Sequence, residues 1–366
     1  MTGQANSVEL KYPFERRKTR AVKVGNVIIG GGFPVSIQSM TNTDTKDTKA
    51  TIEQVRCLFE AGCDIVRLSV PNNEAARKLK TIRSHVTGPL VADIHFQYKL
   101  ALAAVDAGFD KIRINPGNIG ETWKVQEVAR ACKEAGIPIR IGLNSGSLPR
   151  DILEKYGHDN PEAYVEAALR ESRILEDMAF SDIIISLKAT STTTTFRANH
   201  LLAQKCDYPL HIGITEAGII ETGTIKSAVG IGALLLTGIG DTIRVSLTAD
   251  PVKEIRVAKE ILKACQLKKE GVEVIACPTC GRCRINLIDL AERITARTRH
   301  IKTPLKVAVM GCEVNGPGEA AAADIGITGG KDGGYLIKKG EKIKKITEDK
   351  LEQTLLDEIE KMTGGK

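Results

Sequence analysis

The sequence predicts an α/β protein in which a (β/α)8 barrel of the TIM type precedes a small α+β domain. Eight short β-branched segments alternate with helical patterns between residues 34 and 266, and such alternation is typical of a parallel sheet. Eight repeats in about 230 residues match a closed barrel. The pattern then changes at a basic, glycine-ended linker over residues 267–271. We therefore predict a barrel domain over residues 1–267 and a second domain over residues 268–366.

The barrel prediction depends on segments that are short and rich in Ile and Val. Amphipathic stretches separate them, for example over residues 51–62 and 161–178, and several of these end at glycine, as helices do. An open doubly wound sheet remains the alternative, because a count of strands does not prove closure. The predicted strands cover residues 34–40, 64–70, 90–96, 111–117, 139–144, 182–189, 211–216 and 242–247.

Polar residues recur on seven of these strands, two or four positions apart, which places each pair on one strand face. A strand buried on both faces should instead be continuously apolar. Because the carboxyl ends of barrel strands meet at one mouth, where active sites lie, we expect a cationic site there that binds an anion such as a diphosphate. The pairs are Arg67/Ser69, Asp93/His95, Arg113/Asn115, Arg140/Asn144, Ser186/Lys188, His211/Thr215 and Arg244/Ser246.

Composition narrows the class of protein further. The net charge is +7, but aromatic residues make up only 4% of the chain, which argues against a stacking platform for single-stranded nucleic acid. The most basic run, residues 338–345, is typical of a solvated hairpin. No apolar run follows the basic residues 16–18, and no apolar segment is long enough to span a membrane. We therefore expect a cytoplasmic protein without nucleic-acid or membrane partners.

Four of the nine cysteines are concentrated near the end of the chain: Cys277, Cys280, Cys283 and Cys312. Without an export signal this pattern indicates metal chemistry rather than disulfides. Four thiolates would suit structural zinc, whereas three thiolates and a weaker ligand would suit a [4Fe-4S] cluster. The spacing alone does not choose between them.

Seven segments together carry a specific resemblance, from about residue 12 to residue 347: SIQSMTNT, VADIHF, RINPGNIG, ITEAG, GIGDTIRVS, ACPTC and GCEVNGPGEA. In combination they resemble the bacterial 4-hydroxy-3-methylbut-2-enyl diphosphate synthases of the methylerythritol phosphate pathway. The resemblance implies two-electron reduction of 2-C-methyl-D-erythritol 2,4-cyclodiphosphate, with ring opening and loss of water, at a [4Fe-4S] cluster. It also implies flavodoxin or ferredoxin as electron donor, and a homodimer in which one chain's cluster domain covers the other's barrel.

The resemblance also implies roles for individual residues. The cluster ligands would be Cys277, Cys280, Cys312 and Glu319, with Cys283 as an additional cysteine outside the ligand set. Glu216 matches a proposed acid/base residue, and a positioned carboxylic acid suits a reaction in which a hydroxyl leaves as water. The substrate-binding residues would be Arg67, Arg113, Asn115, Arg140, Asn144, Lys188, Thr215, Arg244 and Ser246.

Two other functions stay open at the level of sequence. The basic charge and the C-x-x-C motif would also fit a zinc ribbon that binds nucleic acid. A barrel lyase could instead use Lys188 to form a Schiff base.

Overall fold

The computed structural model describes residues 15–157 and 159–364. These residues separate into two compact units that divide between Lys268 and Lys269. Each unit has its own hydrophobic core. Within the described ranges, no helix has the length and apolar character that crossing a bilayer requires.

The first unit begins with an antiparallel hairpin and continues as eight parallel strands, each followed by helical structure. The strands are β1 (Ala21–Val24), β2 (Val27–Gly30), β3 (Ser36–Met40), β4 (Ile65–Ser69), β5 (Leu90–Asp93), β6 (Lys111–Ile114), β7 (Ile139–Asn144), β8 (Ile183–Lys188), β9 (His211–Ile212) and β10 (Thr242–Ile243). The helices are α1 (Thr48–Glu60), α2 (Asn73–Ser84), α3 (Tyr98–Asp106), α4 (Pro116–Ile119), α5 (Thr122–Ala135), α6 (Arg150–Tyr156), α7 (Pro161–Glu176), α8 (Thr192–Ala203), α9 (Ile220–Leu236) and α10 (Pro251–Ala264).

The eight parallel strands form a ring, which confirms the predicted barrel. Strands β3 to β8 pair in chain order, and β10 pairs with both β9 and β3. A parallel bridge between Ile185 and Leu210 joins β8 to the start of β9. The open doubly wound alternative is therefore wrong, because that fold leaves two edges unpaired.

Four predicted strands are shorter than expected by three residues or more. The strand predicted over residues 90–96 ends at Asp93. The strand predicted over residues 111–117 ends at Ile114, because Pro116 opens helix α4, a position that proline favours. Strands β9 and β10 keep only two residues each. The chain leaves the ladder at Gly213, where an added Cβ would lie 2.3 Å from the Arg244 carbonyl oxygen.

The hairpin β1–β2 was not predicted, and it covers the amino-terminal end of the barrel. Its Val22, Val24 and Ile29 form one buried apolar cluster with Ile65, Val91 and Ile184. The last three residues lie on barrel strands, and each buried side chain of this size contributes roughly 1.5–3 kcal/mol. This end of the lumen is thus sealed by apolar packing.

The second unit is a five-stranded mixed sheet with helices. Strands β11, β12 and β13 are parallel, and β13, β14 and β15 are antiparallel neighbours. The basic run predicted as a hairpin is the end of β14 and most of β15. The elements are β11 (Val272–Ala276), α11 (Leu287–Arg297), β12 (Leu305–Met310), α12 (Gly316–Ala320), β13 (Ile325–Gly330), β14 (Gly333–Lys338), β15 (Glu341–Ile346) and α13 (Leu351–Thr363).

Candidate active site and cysteine site

Side-chain polarity alternates along the barrel strands. On β7, for example, Ile139, Ile141 and Leu143 pack in the main core, whereas Arg140 lies outside that cluster. Because successive side chains of a strand point to opposite faces, the apolar set faces the helices and the polar set faces the lumen. Seven of the fourteen predicted polar residues are therefore buried inside the ring, not only at its mouth: Arg67, Asp93, Arg113, Arg140, Ser186, Lys188 and His211.

Asp93 is the negative centre of this lumen. Its Oδ1 accepts a 3.0 Å hydrogen bond from Nη1 of Arg113, and its Oδ2 lies 3.7 Å from Nε of Arg67 and 3.6 Å from Nε2 of His95. Burial alone would raise the pKa of the Asp93 carboxyl, but the two guanidinium groups hold it well below its ordinary value. Asp93 therefore stays ionised and positions the two arginines.

Arg113 is further fixed by a glycine. Its Nη2 donates to the Gly142 carbonyl oxygen at 3.0 Å. A Cβ at Gly142 would lie 2.5 Å from Nε of Arg113, so only glycine leaves room for the guanidinium. Nε of Arg113 itself is buried and makes no hydrogen bond within the described chain.

Arg140 is the least satisfied cation of the lumen. Its side chain is 2% exposed, and Nε and Nη1 have no hydrogen-bond partner among the described residues. Burial, then the nearby Arg67 and Arg113, lower the pKa of its guanidinium well below the ordinary value. A buried charge without a partner costs several kcal/mol, so this arrangement favours any anion that enters.

Lys188 lies beside a histidine that shares its face of the lumen. Its Nζ is 3.2 Å from Nε2 of His211. Burial, followed by the charge of neighbouring cations, lowers the pKa of both groups well below their ordinary values. His211 is consequently neutral, and its Nε2 lies within hydrogen-bond distance of the Lys188 amine.

Arg244 is held by a carboxylate that the sequence analysis missed. Its Nε lies 3.6 Å from Oε2 of Glu254, a buried residue in the first turn of α10. The same Oε2 accepts a 3.0 Å hydrogen bond from Oγ of Ser39. The sequence carried no signal for Glu254, because an acidic residue in a first helical turn is common on any surface helix.

Lys111 was also missed, although a signal was present. It stands two residues before Arg113 on β6 and is fully buried, with Nζ 3.2 Å from Oε1 of Gln38. The same spacing rule that selected Arg113 and Asn115 would have found it. The lumen thus holds six buried or nearly buried basic side chains against the carboxylates of Asp93 and Glu254: Arg67, Lys111, Arg113, Arg140, Lys188 and Arg244. Burial lowers the pKa of both lysines well below the ordinary value.

The remaining predicted residues lie at or beyond the strand ends. Asn115 is buried, but its amide is occupied: Nδ2 donates to the Ser147 carbonyl at 2.9 Å and Oδ1 accepts from Gly117 N at 3.1 Å. Asn144, Thr215 and Ser246 are half-buried. In the barrel unit this leaves the inward-facing cations as the main means of holding an anion.

Glu216 is exposed and adopts a left-handed backbone conformation, with φ +51°. Its Oε2 accepts a 3.1 Å hydrogen bond from Oγ1 of Thr190. Left-handed geometry is uncommon in residues other than glycine and often marks functional positions. The carboxylate is therefore held in a defined position and remains open to solvent.

In the second unit, the cysteines follow the ends of two adjacent parallel strands. Cys277 directly follows β11 and Cys312 lies two residues after β12. Gly311 N donates to Sγ of Cys277 at 3.3 Å. Cys312 is largely covered yet close to the surface, and the N–H groups of Asn315 and Val314 lower the pKa of its thiol. Cys280 is exposed.

These donors match an iron–sulfur cluster in chemical kind. The thiols of Cys277 and Cys312 follow the ends of neighbouring strands, and that of Cys280 lies on the loop after β11. The exposed Glu319 is on α12. Among the described residues, no three metal-binding side chains converge as on a single ion. A four-iron cubane needs its ligands farther apart than one ion does, so this donor set remains compatible with a cluster.

The Cys283 side chain makes its contacts within the second unit. Its Sγ donates to the Ile285 carbonyl at 3.3 Å, and the side chain packs against the core of the second unit. Glu313, beside Cys312, has its Oε2 3.9 Å from Nζ of Lys342.

The fold and the two sites define a barrel protein with a cationic lumen and a cysteine-bearing carboxyl-terminal unit. Residues 19–259 match the model of the GcpE TIM-barrel domain, and residues 273–361 match that of the GcpE protein C-terminal domain. The chain belongs to the GcpE family.

Curated relatives cover nearly the whole chain. A protein of Caldanaerobacter subterraneus subsp. tengcongensis is 58% identical over 95% of this chain and 98% of its own length. One of Clostridium perfringens is 57% identical over 94% of this chain and 99% of its own. Both are named 4-hydroxy-3-methylbut-2-en-1-yl diphosphate synthase (flavodoxin). These relatives give no support to a zinc ribbon that binds nucleic acid or to a lyase that uses Lys188.

Proposed function

We propose that this chain is an iron–sulfur oxidoreductase that converts 2-C-methyl-D-erythritol 2,4-cyclodiphosphate to 4-hydroxy-3-methylbut-2-enyl diphosphate. The reaction consumes two electrons and two protons, opens the ring and releases one water. The family and the relatives' names support this assignment. The observation that carries it in the structure is the buried guanidinium of Arg140, whose Nε and Nη1 have no hydrogen-bond partner in the described part of the chain, in a lumen lined by basic side chains.

The barrel residues bind and orient the substrate. Arg113, positioned by Asp93, presents its unpaired Nε to the diphosphate, and Arg140 gains acceptors for Nε and Nη1. Arg67, whose Nε lies beside Asp93, adds positive charge next to them. Lys188 on β8 and Arg244, directly after β10, contribute further N–H donors. The half-buried Asn144, Thr215 and Ser246, together with Asn115, complete the binding set, and Glu216 supplies a proton to the departing hydroxyl.

Electrons require a cofactor, because no side chain supplies one-electron reduction at this carbon centre. A [4Fe-4S] cluster would be held by Cys277, Cys280, Cys312 and Glu319, and when bound it would supply that one-electron chemistry. A carboxylate is a harder ligand for iron than thiolate, which makes Glu319 the ligand that exchanges most readily. We further propose flavodoxin as the donor, a homodimeric state and a cytoplasmic location.

The decisive experiment combines turnover and binding. Anaerobically reconstituted full-length chain is supplied with the cyclic diphosphate and a chemical reductant, and the product is followed by phosphorus NMR. We expect the linear diphosphate to appear only when both iron and reductant are present. Calorimetric titration of the iron-free chain with inorganic diphosphate should show binding. No product in the iron-loaded sample would refute the assignment.

A further inference from the structure

The surface of the second unit carries a concentrated positive patch on the hairpin formed by β14 and β15, here called the basic hairpin (residues 333–346). Residues 338–345 contain five lysines and one glutamate, and all five lysines are exposed. Diphosphate binding in the barrel does not explain the positive charge of the basic hairpin. The lysines are Lys338, Lys339, Lys342, Lys344 and Lys345.

A β-bulge determines on which face of the hairpin the lysines of β15 lie. Lys345 pairs with Tyr335 and Lys342 pairs with Ile337, while the register shifts between them. Since paired residues share a sheet face, the bulge places Lys342 and Lys345 on one face although they are three residues apart. Lys344 pairs with Leu336 and therefore lies on the opposite face.

The face with Lys342 is directly connected to the cysteine loop. Nζ of Lys342 lies 4.5 Å above the Tyr335 ring and 3.9 Å from Oε2 of Glu313. Glu313 is covalently adjacent to Cys312. The patch is therefore separated from a proposed cluster ligand by a single ion pair.

Exposed apolar side chains accompany the charge. Ile343 on β15 is 56% exposed, and Val314, two residues after Cys312, is 67% exposed. Lysines alone protect an edge strand from pairing with another chain. Exposed isoleucine and valine work against that protection, whereas apolar residues rimmed by charge are typical of a protein-binding surface.

We propose that the basic hairpin is the docking surface for an acidic one-electron carrier protein of the flavodoxin type. The inference rests on the proposed function, because only a reductive enzyme needs such a partner, and the relatives' names specify flavodoxin. A cationic patch steers an acidic protein into encounter and orients it. Its connection to the Cys312 loop places the bound donor beside the site that receives the electrons.

The test reverses two charges that have no contact with the cysteine loop. The variant Lys344→Glu/Lys345→Glu is compared with wild type and with Lys78→Glu/Lys80→Glu, a matched change of two exposed lysines on α2 of the barrel unit. Affinity for oxidised flavodoxin is measured by calorimetry on the full-length chain at low and high salt. We expect the hairpin variant to bind about tenfold more weakly or worse at low salt, with the difference shrinking at high salt.

Turnover separates this inference from the proposed function. The hairpin variant should show a higher KM for flavodoxin, but unchanged iron content and unchanged turnover with a chemical reductant. Flavodoxin affinity equal to that of the α2 control would overturn the docking proposal. So would binding of single-stranded DNA or of phosphatidylserine vesicles that is lost in the hairpin variant while flavodoxin binding persists. If wild type shows no turnover with either reductant, the proposed function fails, whatever the binding result.

Discussion

The two units of this chain prepare their sites in different ways. In the barrel, Asp93, Glu254 and His211 hold Arg113, Arg67, Arg244 and Lys188 in place before any ligand arrives. In the second unit, Cys280 is exposed and Cys277 half-buried, and Glu319 extends into solvent. A charged lumen must be organised during folding, because buried charges need partners. Thiols on strand-end loops can instead be gathered by the metal that they bind.

The largest effect is expected for substitutions of the cysteines in the second unit. Cys312→Ser should abolish cluster assembly, because it removes one of three thiolates. Cys283→Ser should keep full iron content, since the Cys283 thiol is engaged with the Ile285 carbonyl. Iron and sulfide are counted after anaerobic reconstitution of both variants, with circular dichroism as the control for folding. Iron loss in Cys283→Ser would contradict the ligand set.

A smaller effect, on folding stability, is expected from a buried carboxyl group of the barrel unit. Glu171, on α7, accepts a 3.1 Å hydrogen bond from Gly117 N through Oε1, while Oε2 has no partner in the described chain. Burial raises the pKa of Glu171 from its ordinary 4.5 to about 7. The folded chain therefore keeps a proton that the unfolded chain has lost. The resulting stability is complete below pH 4.5 and disappears as the pH rises through 7.

The change Glu171→Gln should remove this pH dependence. Between pH 4.5 and 8, the free energy of unfolding of wild type relative to the variant should fall by on the order of 3 kcal/mol. Urea unfolding followed by the fluorescence of Trp123, the single tryptophan, reports on the barrel unit. Glu134→Gln, an exposed position on α5, is the control. Parallel pH profiles for wild type and Glu171→Gln would refute the expectation.

The smallest effect is expected at Arg140, where diphosphate binding and folding stability are measured separately. Arg140→Met should weaken inorganic diphosphate binding about 10- to 100-fold, because one charge-assisted contact contributes ~1.5–3 kcal/mol. The ligand-free variant should unfold at higher urea concentration than wild type, since an unpartnered buried charge is removed. Calorimetry and Trp123 fluorescence measure the two effects. Arg150→Met, with a 93% exposed side chain, should change neither. A destabilised Arg140→Met variant would show that the guanidinium serves the fold.

Much of the barrel site was predictable because strand periodicity is a local property. The spacing of two along β6 and β8 selected Arg113 and Lys188, and both are buried in the lumen. The contact between Glu254 and Ser39 was not predictable, because it joins residues 215 positions apart in the chain. The ends of β9 and β10 were overestimated because the pairing of a strand depends on its neighbour, which a local pattern does not reveal.

The sequence by itself determined the alternation of strands and helices in the barrel, the polar face of the strands, the concentration of cysteines and the resemblance to the family. These follow from patterns within short segments, where side-chain alternation and turn residues act locally. Only the tertiary structure decided that the ring closes between Ile185 and Leu210 and that two buried carboxylates lie among six basic side chains. It also decided that Nε and Nη1 of Arg140 have no hydrogen-bond partner among the described residues. Those outcomes depend on distances between separate strands, which arise when the barrel closes and its lumen excludes water.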